Sequence, residues 1–312
     1  MAISSAGQGD LTGPCLVAGP EPGSAFSHAA SHAPQTAATP AWHGPAPTPT
    51  IARMYDWFLG GENNSIVDRE AAAKVLDRYP GARLAARANR AFLRWAVGHL
   101  AASRGIRQFL DVGAGLPARP NVHELAQRAI PGARTVYVDH DPAVIARVRA
   151  AVAADPRTIA LRADVRAPVR LIDRVMASGH LDFGRPIALL LTAVLHFVRD
   201  DEHPAEAVRT LLAELAPGSM LVLSHLLGDA QRRDVLAAAD QVFQESGTPA
   251  VGRTRSQIRR MFEGTHLVEP GLRPVGDWLL ITGAVDRIEP RLPYNQMALL
   301  DVPVLCGMGR KA

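Results

Sequence analysis

The residues Gln108-Phe-Leu-Asp-Val-Gly-Ala-Gly-Leu-Pro117 run from an apolar stretch to an acid, Asp111, and then to two glycines one residue apart. A buried strand ends this way when its backbone must pass close to a nucleotide or nucleoside, because side chains at Gly113 and Gly115 would block the ligand. An ordinary tight turn uses the same residue types. One strand-helix unit later, Val136-Tyr-Val-Asp139 ends a second apolar run on an acid whose two carboxylate oxygens suit two ribose hydroxyls. Asp164 and the backbone at Val165 suit the exocyclic amine and ring nitrogen of adenine, and Thr192 to His196 places polar groups after a further run. Each acid alone has a plainer role as a helix cap or loop residue, but a series on successive strand ends describes a cleft.

Strand and helix must alternate to bring these ends together, and the sequence has that pattern. Strands are expected over 107–112, 134–139, 158–163, 186–192 and 219–224, with helices over 121–129, from Asp141-Pro142 onward, over 168–178 and over 204–215. Asn121 and Asp141 have the residue types of N-caps, and Pro142 fits the first helical position. The continuous apolar run at 186–192 is that of a central strand covered on both faces. Helices at 230–245 and at 256–263, capped by Ser256, precede short strands near 266–269, 278–282 and 303–308, a pattern that closes a sheet with an antiparallel pair. The expectation is an α/β, Rossmann-like doubly wound sheet, mostly parallel, with helices on both faces.

Ahead of the sheet, Met54, Trp57 and Phe58 have helical spacing that Gly60-Gly61 would stop. Tyr55, Asp56, Gly61, Asn63 and Asn64 form a polar, glycine-hinged turn able to close over a ligand, or merely to cap the domain. Helices follow over 68–78 and 83–102. In the second, Arg83, Arg87, Arg90 and Arg94 lie largely apart from the apolar face, and a solvated face is expected rather than an acid-binding strip. Residues 1–49 are rich in Ala, Pro, Gly, Ser and Thr without apolar period, and read as a disordered tail. His28, His32 and His43 within it are too irregularly spaced to favour a metal site.

A chain of 312 residues that is 47% hydrophobic supports a substantial core, and residues 50–312 read as one domain. The net charge of +4 is spread without a compact Lys/Arg block, so no nucleic-acid partner is expected. Cys15 and Cys306 make neither a disulfide framework nor a metal cluster, which fits a reducing cytoplasm. The start lacks a signal-peptide pattern, and the longest apolar run, 187–198, is too short for a bilayer, so a soluble cytoplasmic protein is expected.

The combination of motifs resembles the actinobacterial S-adenosyl methyltransferases once catalogued as a domain of unknown function. The resemblance is carried by Ala52-Arg-Met-Tyr-Asp-Trp-Phe-Leu-Gly-Gly-Glu-Asn63, Ala88-Asn-Arg-Ala-Phe-Leu93, Gly105-Ile-Arg-Gln-Phe-Leu-Asp-Val-Gly-Ala-Gly-Leu-Pro117, Asn121-Val-His-Glu124, Val136-Tyr-Val-Asp-His-Asp-Pro142 and Ala193-Val-Leu-His-Phe-Val198. It implies a seven-stranded class I methyltransferase fold and S-adenosylmethionine as ligand. The expected divisions are a helical cap at 50–104, a donor-binding core at 105–225 and a substrate-side region at 226–312. The expected donor site comprises Asp111, Gly113, Ala114, Gly115, Asp139, His140, Asp164, Val165 and Thr192, with Tyr55, Gly61 and Asn63 from the cap. Arg53 is expected either to meet the methionine carboxylate or to form a surface salt bridge. Ala114 stands where that family usually has threonine and His140 where it often has asparagine, so one loop hydroxyl is missing.

Methyl transfer from a sulfonium is an in-line displacement that gains much of its rate from holding the acceptor in a dry cleft, and it requires no metal. For a hydroxyl acceptor His196 is the first candidate base, followed by Tyr55 and Asp56; a packed histidine is the alternative for His196. A small-molecule acceptor is expected, shaped by 226–255 and 55–64. Two other functions stay open: a regulatory protein that binds the donor and its product without turnover, and a nicotinamide-dependent oxidoreductase. The second is disfavoured because Ala118 stands where a dinucleotide loop has its third glycine, between Pro117 and Pro120.

Overall fold

The computed structural model describes residues 48–229, 233–245, 247–288 and 296–312; the expected tail, apart from its last two residues, lies outside them. Eight strands form one sheet: β1 (Gln108–Val112), β2 (Arg134–Asp139), β3 (Thr158–Arg162), β4 (Ala188–Thr192), β5 (Met220–Leu226), β6 (Thr265–Leu267), β7 (Arg273–Pro274) and β8 (Val304–Lys311). Their order is β3-β2-β1-β4-β5-β8-β6, with β7 also pairing β8. The first five are parallel, and β8 runs antiparallel to β5, β6 and β7. Seven strands lie on this path, mostly parallel with an antiparallel end, as expected, and the two-residue β7 is an addition.

Period-two alternation sorts the strand residues between two cores. Phe109, Tyr137, Leu190 and Val222 face one side, where they meet α3 (Ala82–Arg104), α4 (Val122–Ala129) and α5 (Pro142–Val152). Leu110, Val136, Leu189 and Leu221 face the other, against α6 (Pro168–Ala177) and α7 (Pro204–Ala213). Asp111 shares the face of Phe109 and pairs in register with Tyr137, so its carboxyl projects under α3 rather than into solvent.

The helical cap consists of α1 (Ile51–Leu59) and α2 (Ile66–Arg78), which pack with Ala86 of α3 and Val242 of α8 (Arg233–Glu245) in a third cluster. Thr50 caps α1, Gly60 ends it in the left-handed region, and Ser65 with Asp68 forms a capping box on α2. Asn121 and Asp141 cap α4 and α5 as their residue types predict.

The C-terminal third departs from the sequence reading in two places. The run 278–282 is not a strand: it lies in α10 (Val275–Ile281), whose Val275, Trp278 and Leu279 follow helical spacing that a short apolar run conceals. Trp278 is fully buried and meets Phe92 and Trp95 edge to face, at 5.2 and 5.8 Å between ring centroids. α9 (Arg255–Arg260) is capped by Thr254, not Ser256, because Thr254 and Gln257 exchange backbone and side-chain hydrogen bonds as a capping box. The last helix is α11 (Gln296–Leu300), and the start of the expected 230–245 helix, 230–232, lies outside the described residues. No helix among the described residues is long and apolar enough to cross a membrane.

Candidate functional site

A cleft of about 230 Å³ opens at the carboxyl ends of β1, β2 and β4, closed from above by α1 and α3. Gly113 leaves β1 with φ +73°, and a Cβ there would overlap the side chain of Val194 in the loop after β4, so only glycine fits. The N–H groups of Gly113 and Ala114 both donate to Val138 O, which folds the loop back onto β2.

Asp139 is held by two backbone donors. Gly115 N–H donates to its Oδ2 and Asp141 N–H to its Oδ1, each at 3.0 Å, and His140 Nδ1 lies 3.5 Å from Oδ1. Burial raises the Asp139 pKa, while these two hydrogen bonds and His140 work against the rise. Asp111 is more perturbed: burial pushes it up to about 7, Arg90 opposes this, and Asp139 adds to it.

Of the residues expected to bind the donor or act in catalysis, Tyr55, Asp56, Asp111, Gly113, Ala114, Gly115, Asp139, His140 and Thr192 all line the cleft. Gly61 and Asn63 line a second chamber beside it. In that turn, Asp56 accepts hydrogen bonds from Asn63 N–H and Asn64 Nδ2, both at 2.8 Å, and Gly61 passes so close to its carboxyl that a Cβ would overlap it. Burial raises the Asp56 pKa and the two asparagines restrain the rise.

Four expected residues line neither the cleft nor the second chamber. Arg53 is buried, with Nε on Asp68 at 2.8 Å and Nη2 on Thr48 O, so its salt bridge lies inside the cap rather than at the surface. Asp164 forms a fork with Arg166, whose hydrogen bonds outweigh burial and hold its pKa low, and Val165 packs in the core beneath. His196 packs at a tilt against Phe197 and edge to face against His225, its Nδ1 buried without a partner, and burial keeps its pKa well below the usual histidine value.

The structure adds residues that sequence reading left unassigned. Tyr55 O–H donates to Ala86 O and accepts from Asn89 Nδ2; Asn89 Oδ1 accepts from Ser224 O–H, and Ser224 Oγ accepts from Ala193 N–H. This buried chain ties α1 to α3, to β5 and to the loop after β4, where Ala193 adopts φ +53°. The arginine row of α3 is not the solvated face expected from its pattern. Arg87 and Arg94 are buried, and Arg90 lines the cleft, its Nη2 bonded to the carbonyls of Ala118 and Pro120. The signal was present in Ala88-Asn-Arg-Ala-Phe-Leu93, but nothing local separates a buried helix arginine from a solvated one.

Comparison with known proteins supplies the class. A family model described as S-adenosyl methyltransferase matches residues 45–312. Among solved structures, a DUF574 family protein from Streptomyces avermitilis is 34% identical, with 85% of this chain and 98% of that chain covered and a TM-score of 0.76. A candidate methyltransferase from Thermobifida fusca YX is 36% identical, with 85% and 95% covered and a TM-score of 0.74. No curated protein matches the chain. A family match over nearly everything that forms this sheet and cleft makes the chain a member of the S-adenosyl methyltransferase family, an enzyme whose methyl donor is S-adenosylmethionine.

Proposed function

We propose that the cleft binds S-adenosylmethionine across the ends of β1 and β2 and directs its methyl group to a small organic acceptor entering beside α1. The observation that carries this reading is the pinned Asp139 carboxylate: each oxygen takes one backbone N–H and keeps a lone pair for one hydroxyl of a ribose. The remaining groups fit the donor. A Cβ at Gly115 would meet no protein atom within 4 Å, so the loop borders open space, and Asp111 flanks that space with a charge complementary to the ammonium of an amino-acid tail. His140 and Thr192 also line the cleft, which suits them to the ribose and to the transferring group. The Asp164 carboxylate reaches adenine only if the Arg166 fork opens.

When bound, S-adenosylmethionine supplies an electrophilic methyl group on a sulfonium. The protein's part is placement. Phe197, Val194 and Leu59 give the cleft apolar walls, and the Tyr55–Asn89–Ser224 chain fixes α1 against the sheet so that the walls do not drift. For a hydroxyl acceptor Asp56 is the best-placed base, since its carboxyl lines the cleft and burial raises its proton affinity. The Tyr55 hydroxyl is engaged at both ends and acts as a positioning group, and His196 lies behind the lining. The buried free thiol of Cys306 fits a cytoplasmic setting.

The acceptor class is tested by incubating the enzyme with methyl-labelled S-adenosylmethionine and cell extract separated by size. Label entering the low-mass fraction is expected. Label confined to macromolecules would overturn the small-molecule assignment, and donor binding with no transfer to any fraction would favour a regulatory role.

A further inference from the structure

Beside the donor cleft lies a second chamber of about 220 Å³, far above the roughly 15 Å³ needed to admit a water molecule. It shares Asp56, Leu59, Arg90 and Ala118 with the cleft, so one ligand can occupy both. Its other lining is cationic: Arg87, Arg94, Arg119 and Arg287 join Arg90, and Asp56 is the single carboxylate among the described lining residues. One oxygen of that carboxylate, Oδ2, is already engaged by Asn63 and Asn64.

Two of these arginines carry unmet hydrogen-bonding capacity. Arg87 is 5% exposed, and its Nε reaches Phe58 O at 3.2 Å, but its Nη1 is buried without a partner. Arg90 bonds carbonyls through Nη2 and leaves Nε buried without a partner. Carbonyl oxygens satisfy N–H groups without neutralising charge, and a buried guanidinium left in that state is costly unless a ligand completes it. The donor cannot do so for the whole chamber. Its amino-acid end carries a carboxylate and an ammonium together, and its sulfonium adds positive charge.

We infer that the methyl acceptor bears an oxyanion, a carboxylate or a phosphate, and that this chamber seats it between Arg87 and Arg90 while the acceptor's reactive atom faces the cleft near Asp56. The inference rests on the cleft being a methyl-transfer site. Guanidinium forks match the geometry of both oxyanions.

The test begins with S-adenosylhomocysteine alone, measured calorimetrically, and then titrates inorganic phosphate into the protein saturated with it, ionic strength being held constant with chloride. Binding of S-adenosylhomocysteine followed by phosphate binding to the saturated protein is expected. Arg87→Gln should weaken phosphate about tenfold or more while S-adenosylhomocysteine affinity stays within about twofold, the loss expected of a charge-assisted hydrogen bond. Arg287→Gln, at an exposed rim position and therefore safe for folding, should weaken phosphate in the same direction. Absence of phosphate binding, or wild-type phosphate affinity in either folded variant, overturns the inference. Competition between phosphate and S-adenosylhomocysteine, or parallel loss of both in Arg87→Gln, assigns the chamber to the donor's own carboxylate and also overturns it. A wild-type protein that fails at the first titration refutes the methyl-transfer site instead, before phosphate is added.

Discussion

Asp111 and Gly113 show how much a single position in this loop constrains. An unfolded aspartate titrates near about 4, whereas Asp111 in the folded protein is raised by burial to about 7. Between those values the native state holds a proton that the unfolded chain has released, so this contribution to stability is complete below about pH 4 and is lost as pH rises through about 7. Asp111→Asn should therefore match wild type in urea unfolding near about pH 4 and exceed it by about 1 to 3 kcal/mol near about pH 8, where the wild-type carboxylate is buried and charged. A difference that does not vary with pH would contradict this origin. The same variant should bind S-adenosylhomocysteine more weakly, because it removes the charge proposed to meet the ligand's ammonium. Gly113→Ala combines a left-handed backbone with an overlap on Val194 and should cost about 2 kcal/mol or more in unfolding free energy. These two positions were legible in the sequence because spacing alone defines an acid followed by a glycine loop. Arg90 was not, because its meaning comes from β1 and the Ala118–Pro120 segment, which only the folded chain brings to it.

Among the elements, the parallel strands were readable because apolar runs bounded by turn residues admit little else. α10 was misread because seven residues of helix look like a short strand, and its role as a lid on Phe92 and Trp95 depends on a partner almost two hundred residues away. The cap is joined to the sheet through Asn89, which lies between Tyr55 and Ser224. Asn89→Ala leaves the buried Ser224 hydroxyl proton without its acceptor and removes the donor to the Tyr55 oxygen, and should lower stability by about 2 kcal/mol. It should also reduce kcat more than it raises donor Kd, since α1 would lose its fixed position over the acceptor side. Equal unfolding midpoints and unchanged kcat would show that the chain is dispensable. Arg53 and Asp68 supply a second tie, within the cap, between α1 and α2. That pairing explains why an arginine in a motif implying ligand contact stands outside the cleft.

The molecule as a whole opens its cleft where the strand order reverses, at β1 between β2 and β4, and the two cores sit on opposite faces of the same sheet. The family match begins at residue 45, and Thr48 O already receives Arg53, so a chain beginning at Pro45 should keep donor affinity within about twofold of the full chain if folding needs only the described body. A larger loss by calorimetry would give the preceding residues a part in the site. The central claim is that Asp139 grips the ribose of S-adenosylmethionine, and titration of S-adenosylhomocysteine into wild type and Asp139→Ala tests it most directly. Wild type should bind one equivalent, and Asp139→Ala, still folded by its unfolding midpoint, should bind about 30-fold more weakly or worse, as expected for loss of charge-assisted hydrogen bonds. Equal affinity in the two proteins, or no binding by wild type, would contradict the account.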